Sequence, residues 1–192
     1  MRHLFAPWRM EYIGGEPEPG CLFCRALAAP VVEDLANLVV WRPPRALVML
    51  NRFPYNSGHV MVAPAAHEGS PDQLVDRDAL ALHRALGRTL QVLRRELRPQ
   101  GFNLGANLGR TAGAGIPDHY HLHVVPRWEG DTNFMPVLGS VKVVNEHLLR
   151  TAEKLRQAFS AGAGAGRRPR SPKPAAGARS ARPRSGRSTA RG

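Results

Sequence analysis

The sequence predicts an α+β domain: an antiparallel sheet with one long helix packed on it and a second helix near the C-terminus. Three observations carry that prediction. Short apolar segments bounded by Pro, Gly and Asn recur between residues 38 and 63, the pattern of strands joined by tight turns. Residues 70–98 carry leucines at helical spacing. Side-chain alternation then returns over residues 118–125, so strands flank the helix on both sides in the chain.

Residues 1–35 are rich in Gly, Pro and aromatics and read as an irregular arm. Leu38-Val39-Val40-Trp41 and Ala46-Leu47-Val48-Met49-Leu50 form the first two strands. Arg42-Pro43-Pro44-Arg45 turns between them, because proline cannot donate to a ladder. The third strand, His59-Val60-Met61-Val62-Ala63, is entered through Asn56-Ser57-Gly58 and closed by Pro64. Ser70-Pro71-Asp72-Gln73 then offers a helix start, with Ser as cap, Pro at the first position and Gln three residues after the cap. Leu82, Leu86, Leu90, Leu93 and Leu97 make one apolar stripe, ended by Pro99 and Gly101. Residues 102–107 read as a strand running into the glycine-rich loop Gly109–Gly115, residues 118–125 as a strand stopped by Pro126, and residues 145–159 as the second helix. The domain is thus expected over residues 36–160.

Hydrophobic residues make up 43% of the 192-residue chain and charged residues 22%, an ordinary globular balance. The net charge of +12 is unevenly spread: nine of the 27 basic residues and none of the 15 acidic ones lie in residues 161–192. That tail of Ala, Gly, Arg, Pro and Ser cannot bury enough apolar surface to offset its ordering entropy and is expected to be disordered. A nucleic-acid contact is compatible with it; a solvated basic extension is the simpler reading. No apolar run approaches the ~20 residues that span a bilayer, and the N-terminus lacks the apolar segment of a secretory leader. A cytoplasmic protein with no membrane contact is expected. In that compartment Cys21 and Cys24, spaced C-x-x-C, suggest a metal half-site or a redox pair more than a structural disulfide.

The segment Asp118-His119-Tyr120-His121-Leu122-His123-Val124-Val125 carries the chemistry. On a strand its three histidines share one face, with Tyr120, Leu122 and Val124 on the other. Burying three imidazoles for structure alone is wasteful, since each needs hydrogen-bond partners. Two functional readings compete. As metal ligands, neighbours two apart stand roughly 6.5–7 Å from each other and the outer pair about 13 Å, so two could share an ion but not all three. Alternatively the central His121 is a nucleophile: imidazole, with an unperturbed pKa of ~6.5, is largely neutral at neutral pH and suits nucleophilic or acid–base work.

The pattern His-φ-His-φ-His-φ-φ, with φ apolar or aromatic, resembles the signature of the histidine-triad (HIT) superfamily over roughly residues 35–128. Asn51 stands after an apolar strand and His59 follows eight residues later, in register with that resemblance. The resemblance implies that His121 attacks the α-phosphorus of a nucleotide to form a nucleotidyl-histidine. It further implies that His123 assists the leaving group, that His119 and His59 complete and orient the constellation, and that Asn51 binds the ribose. Gly113 and Gly115 give the backbone room to approach an anion, and Asn107 is a phosphate-side candidate by position. One departure stands out. Where many members place Ser, Thr or Gln three or four residues before the first triad histidine, this chain has Ile116 and Gly115. Leaving-group stabilisation then falls to backbone amides or to Arg110, Thr111 or Arg127.

Residues 6–13, 52–59, 101–105 and 126–134 are similar to the bacterial branch of diadenosine tetraphosphate phosphorylase-like proteins, extending the resemblance to most of residues 4–159. A phosphorylase passes AMP from His121 to phosphate; a hydrolase passes it to water. Cys21 and Cys24 with His67 and His119 resemble a structural Zn²⁺ set, as in the related galactose-1-phosphate uridylyltransferases. His119 then faces metal while His121 faces substrate, and the chemistry itself requires no divalent ion. The resemblance also implies a homodimer. His3, His83 and His147 are assigned no role. Two alternatives stay open: a non-catalytic, zinc-stabilised nucleotide-binding or sensing protein, and a HIT hydrolase of nucleoside phosphoramidates.

Overall fold

The computed structural model describes residues 20–131 and 147–161. The basic tail, His3 and the strand-following segment from Thr132 lie outside them. Five strands form one antiparallel sheet in the order β1-β2-β3-β5-β4: β1 (Val39–Trp41), β2 (Ala46–Leu50), β3 (Val60–Pro64), β4 (Gly101–Gly105) and β5 (Leu122–Arg127). Among the described residues three α-helices lie around it, α1 (Leu22–Ala28), α2 (Asp76–Leu97) and α3 (Leu148–Ala161). Both expected helices and the antiparallel sheet are present; α1 falls in the segment expected to be irregular.

Strands β2 and β3 are buried on both faces. Val48, Leu50, Val60, Val62 and Val124 pack on one face against Leu82, Ala85, Val92 and Leu93 of α2 and Leu155 and Phe159 of α3. Leu47, Met49, Met61 and Ala63, alternating with them, pack on the opposite face against Phe23 and Ala26 of α1. Because Met61 pairs with His123 and Val60 with Val124, the triad segment turns its histidines towards the α1 face. Tyr120, Leu122 and Val124 go to the helical core, as expected.

Helix α1 is short enough to be unstable alone, and no side chain caps its N-terminus. Its C-terminal end is held by Arg42, which directly follows β1. Its guanidinium donates to the carbonyls of Ala26, Leu27 and Ala29 at 2.7, 3.0 and 3.1 Å, while Asp34 accepts from it and from Arg156. A cation on those carbonyls satisfies the orphan acceptors and complements the helix dipole.

Three boundaries differ from expectation. Pro71–Gln73 is a separate 3₁₀ turn, and α2 starts at Asp76 after extended Leu74 and Val75. The Ser70 hydroxyl bonds the Asp72 carboxylate instead of capping a backbone N–H. The triad strand begins at Leu122, so His119 and His121 precede it; Tyr120 N–H goes to Glu68 O at 2.6 Å, outside the ladder. Pro126 does not stop β5, because it lies past the last residue paired with β3 and the missing N–H disrupts nothing there.

Candidate active site and metal centre

The turn into β3 places His59. Gly58 has φ +72°, and a Cβ on it would collide with the Leu97 side chain; only glycine meets both demands. His59, fully buried, then lies across from Asn51, whose backbone N–H donates to the His59 carbonyl at 2.9 Å. The Asn51 Oδ1 accepts from the Phe53 N–H at 2.9 Å.

A chain of hydrogen bonds fixes the proton positions of the imidazoles. The Tyr55 N–H donates to His59 Nδ1 at 3.1 Å, so a neutral His59 is protonated at Nε2. That nitrogen lies 3.0 Å from His123 Nδ1 and donates to it, which puts the proton of neutral His123 on Nε2. His121 has the opposite tautomer. Its Nδ1–H donates to the His119 carbonyl at 2.8 Å, leaving the lone pair on Nε2. Burial lowers the His121 pKa, opposed by that carbonyl bond, and so favours the neutral ring. His121 and His123 meet edge to face at 5.0 Å, with Phe23 packed 5.0 Å from His121 on the α1 side. A lone-pair nitrogen and an N–H donor thus stand side by side, an arrangement able to attack an electrophile and protonate what leaves.

His119 belongs to a different cluster. Its Nδ1 lies 3.2 Å from Cys21 Sγ, 3.6 Å from Cys24 Sγ and 3.3 Å from His67 Nδ1, while Cys24 Sγ lies 3.1 Å from His67 Nδ1. All four donor atoms fall within 4.8 Å of one another. His119 Nε2–H donates to the Pro64 carbonyl at 2.9 Å, which turns the Nδ1 lone pair into the cluster. Two sulfurs and two imidazole nitrogens at these separations could hold a metal ion; four of the six separations, 3.1–3.6 Å, lie near the edges of a zinc tetrahedron with bonds of ~2.0–2.3 Å, and the others stay within 4.8 Å. Burial pushes the Cys24 thiol pKa up, with the hydrogen bond and charge of Cys21 adding to it. Burial also lowers the His119 pKa. His119 and His121 thus face different partners, which resolves the ~13 Å span of the triad along a strand. His83 and His147 are exposed on or beside helices, away from both clusters.

Beyond His123 opens a cavity of about 480 Å³. His123 and Asn107 line it, as does Arg127 among the three side chains expected near the leaving group. Arg110 and Thr111 are exposed in a 3₁₀ turn, and Gly113 and Gly115 lie in the same exposed loop. Asn107 Nδ2–H donates to the Gly113 carbonyl at 3.3 Å and ties that loop to the cavity. The expected residues do not include the rest of the polar wall: Tyr55, Asn56, Asn103 and Asp131. Asp131 binds Arg127 through both carboxylate oxygens, at 2.6 and 2.7 Å, and accepts from Asn56 and the Trp128 N–H. Each of these residues lies in a stretch that sequence similarity had marked, but only the fold joins them.

Similarity to known proteins agrees with the geometry. The HIT domain family profile matches residues 33–130. The chain is 36% identical over 161 residues to the AP-4-A phosphorylase of Mycobacterium tuberculosis, covering 81% of this chain and 82% of that one. It is 31% identical over 125 residues to an uncharacterised HIT-like protein of Methanocaldococcus jannaschii, covering 65% and 92%. Among solved structures, a zinc-bound histidine triad family protein from Mycobacterium smegmatis superposes with a TM-score of 0.56 at 25% identity, covering 74% of this chain and 94% of that one. From the profile match, the extent of the mycobacterial similarity and the shared fold, this chain belongs to the HIT domain family.

Proposed function

We propose that the protein cleaves a dinucleoside polyphosphate such as diadenosine tetraphosphate by nucleotidyl transfer through His121. The carrying observation is the Nδ1–H of His121 held by the His119 carbonyl, which presents Nε2 as a neutral nucleophile beside the N–H of His123. Nε2 attacks the α-phosphorus, a P–N bond forms, and the bond to the bridging oxygen breaks with its electron pair on that oxygen. The His123 Nε2–H donates to the departing oxygen, and His59 holds His123 in the tautomer that can do so. An acceptor oxygen then attacks phosphorus, the P–N bond breaks, and Nε2 recovers its pair.

Asn51 is assigned to the ribose and Asn107, with the Gly113 and Gly115 backbone, to the phosphates. The similarity to an AP-4-A phosphorylase supports phosphate as acceptor, giving ADP and ATP. Cys21, Cys24, His67 and His119 would hold Zn²⁺; a four-ligand N/S site is closed, and the ion supplies a structural tie between α1 and the triad segment. A homodimer is supported by the outer edge of β4, which no strand pairs among the described residues and where Leu104 is half exposed, whereas α3 covers the β1 edge through the Arg156 bond to the Val39 carbonyl. Among the described residues no helix is long and apolar enough to cross a membrane.

Product analysis tests the reading: diadenosine tetraphosphate with purified protein, with and without phosphate. ADP plus ATP only with phosphate is expected. AMP plus ATP without it replaces the acceptor by water. No turnover by the wild type removes the proposal in favour of nucleotide sensing or phosphoramidate substrates.

A further inference from the structure

Helices α2 and α3 cover the sheet face opposite the triad, and the seam between them is basic. Along α2, Arg77, Arg84, Arg88 and Arg95 recur at steps of seven, four and seven residues. At 3.6 residues per turn they fall within about 40° of one line, and the row is roughly 27 Å long. Arg77, Arg84 and Arg95 are exposed and Arg88 is half-buried.

Helix α3 joins this row from its own basic flank. Arg95 donates to the Ala158 carbonyl at 3.0 Å, and Lys154 and Arg150 lie one and two turns back from Ala158 on the same flank. Arg156, on the other flank, is bound to the Val39 carbonyl and Asp34 instead. Acidic side chains do little to neutralise the seam: Asp78 is buried against Arg45, Glu96 pairs with Arg95, and helical spacing turns Asp76 and Glu153 away from it. Among the described residues no hydrogen bond or ion pair engages the side chains of Arg84, Arg88, Arg150 or Lys154, and the buried NH2 of Arg88 lacks the acceptor that a buried donor requires. From Ala161 the chain continues into residues with nine Lys and Arg and no Asp or Glu.

A straight row of unopposed cations on a rigid helix complements a straight, stiff row of phosphates, as in duplex DNA with its one charge per ~1.7 Å of axis. Single strands are held by stacking on aromatic rings, but α2 has no Phe, Tyr or Trp, and Phe159 of α3 is buried. A membrane surface takes up an apolar helix face, and those of α2 and α3 are spent on the core.

We propose that the α2–α3 seam, extended by the basic C-terminal segment, binds the phosphate backbone of duplex DNA without reading its sequence. The surface lies away from the triad, so its failure would leave the catalytic reading untouched.

Fluorescence anisotropy of a labelled DNA duplex, titrated with the full chain at a series of salt concentrations, tests this. Four unopposed seam cations give a slope of log affinity against log salt of about −3.6 or steeper, a loss of roughly 150-fold or more from about 50 to 200 mM salt. Arg84→Gln with Lys154→Gln, one change on each helix, should make the slope shallower by about 1.8, or 0.9 per charge removed. Arg84→Lys with Lys154→Arg, which keeps both charges, should preserve it, and two duplexes of unrelated sequence should bind alike. No binding at about 50 mM salt, where backbone contacts are strong, overturns the proposal. A slope unmoved by the Gln pair removes the seam and leaves binding to the C-terminal segment alone. Tighter binding to anionic phospholipid vesicles than to the duplex at the same salt, weakened by the same Gln pair, replaces DNA by a membrane surface.

Discussion

Replacing Phe23 by alanine tests how α1 supports the site. Phe23 is fully buried among Ala26, Val39, Leu47, Met49, Met61 and Ala63, with its ring 4.9 Å from His119 and 5.0 Å from His121. Truncating a buried phenylalanine costs about 3–5 kcal/mol through lost transfer energy and the cavity left behind. With a urea m-value of ~2 kcal/mol/M, the unfolding midpoint falls by roughly 1.5–2.5 M. The assay is urea denaturation of zinc-loaded protein followed by far-UV circular dichroism. A second arm uses Cys24→Ser, which loosens α1 from the triad segment. In that background Phe23→Ala should cost less, because a helix already partly released has less packing to lose. A cost below about 1 kcal/mol for Phe23→Ala in the zinc-loaded wild type, or strict additivity with Cys24→Ser, would refute the view that α1 is the packed wall of the site.

Three further perturbations follow from the same geometry. Elemental analysis is expected to find about one zinc ion per chain in the wild type and a small fraction of that in Cys24→Ser, and a chelator should lower the wild-type melting point while leaving the variant's unmoved. The ion pair with Arg45 holds the buried Asp78 carboxyl below its ordinary value. Its contribution to stability is complete above the unfolded-state pKa of ~3.9 and is lost as pH falls through the lower folded-state value. The stability advantage of wild type over Asp78→Asn should therefore be constant near neutrality and shrink in acid, as read by denaturation at a series of pH values. His123→Ala should reduce kcat on diadenosine tetraphosphate by about 10²–10⁴-fold but much less on a nitrophenyl ester of AMP, whose leaving group departs unprotonated. Equal losses on both would remove His123 from leaving-group protonation.

The triad segment and the Asn51–His59 spacing were readable because each depends on residue type and local spacing; of the two-cysteine, two-histidine set, spacing showed only the C-x-x-C half, and His67 and His119, 43 and 98 residues away, came from the family resemblance. The Leu82 and Leu93 stripe of α2 was readable for the same reason, although Ala85, Thr89 and Val92 share the buried face with them while Leu86 and Leu90 sit at its margin. Helix α1 was not: seven residues are too few to show a period, and the group that caps its carbonyls, Arg42, comes from another element. The start of the triad strand was obscured by the Tyr120–Glu68 bond, a contact between distant positions that ends the ladder before alternation in the sequence ends. The cavity wall shows the same limit most plainly. Tyr55, Asn56, Asn103 and Asp131 come from three separate stretches, and only the pairing of β3 and β4 with β5 and the turn after β5 bring them together.

The most direct test of the mechanism is to look for the covalent intermediate. Wild-type protein mixed with diadenosine tetraphosphate in the absence of phosphate, quenched in alkali and analysed by intact-mass and peptide mass spectrometry, should carry one adenylyl group on the peptide containing His121. The group should disappear on adding phosphate as ADP is released. An adenylyl group on another residue, or turnover that continues in His121→Ala, would contradict the account.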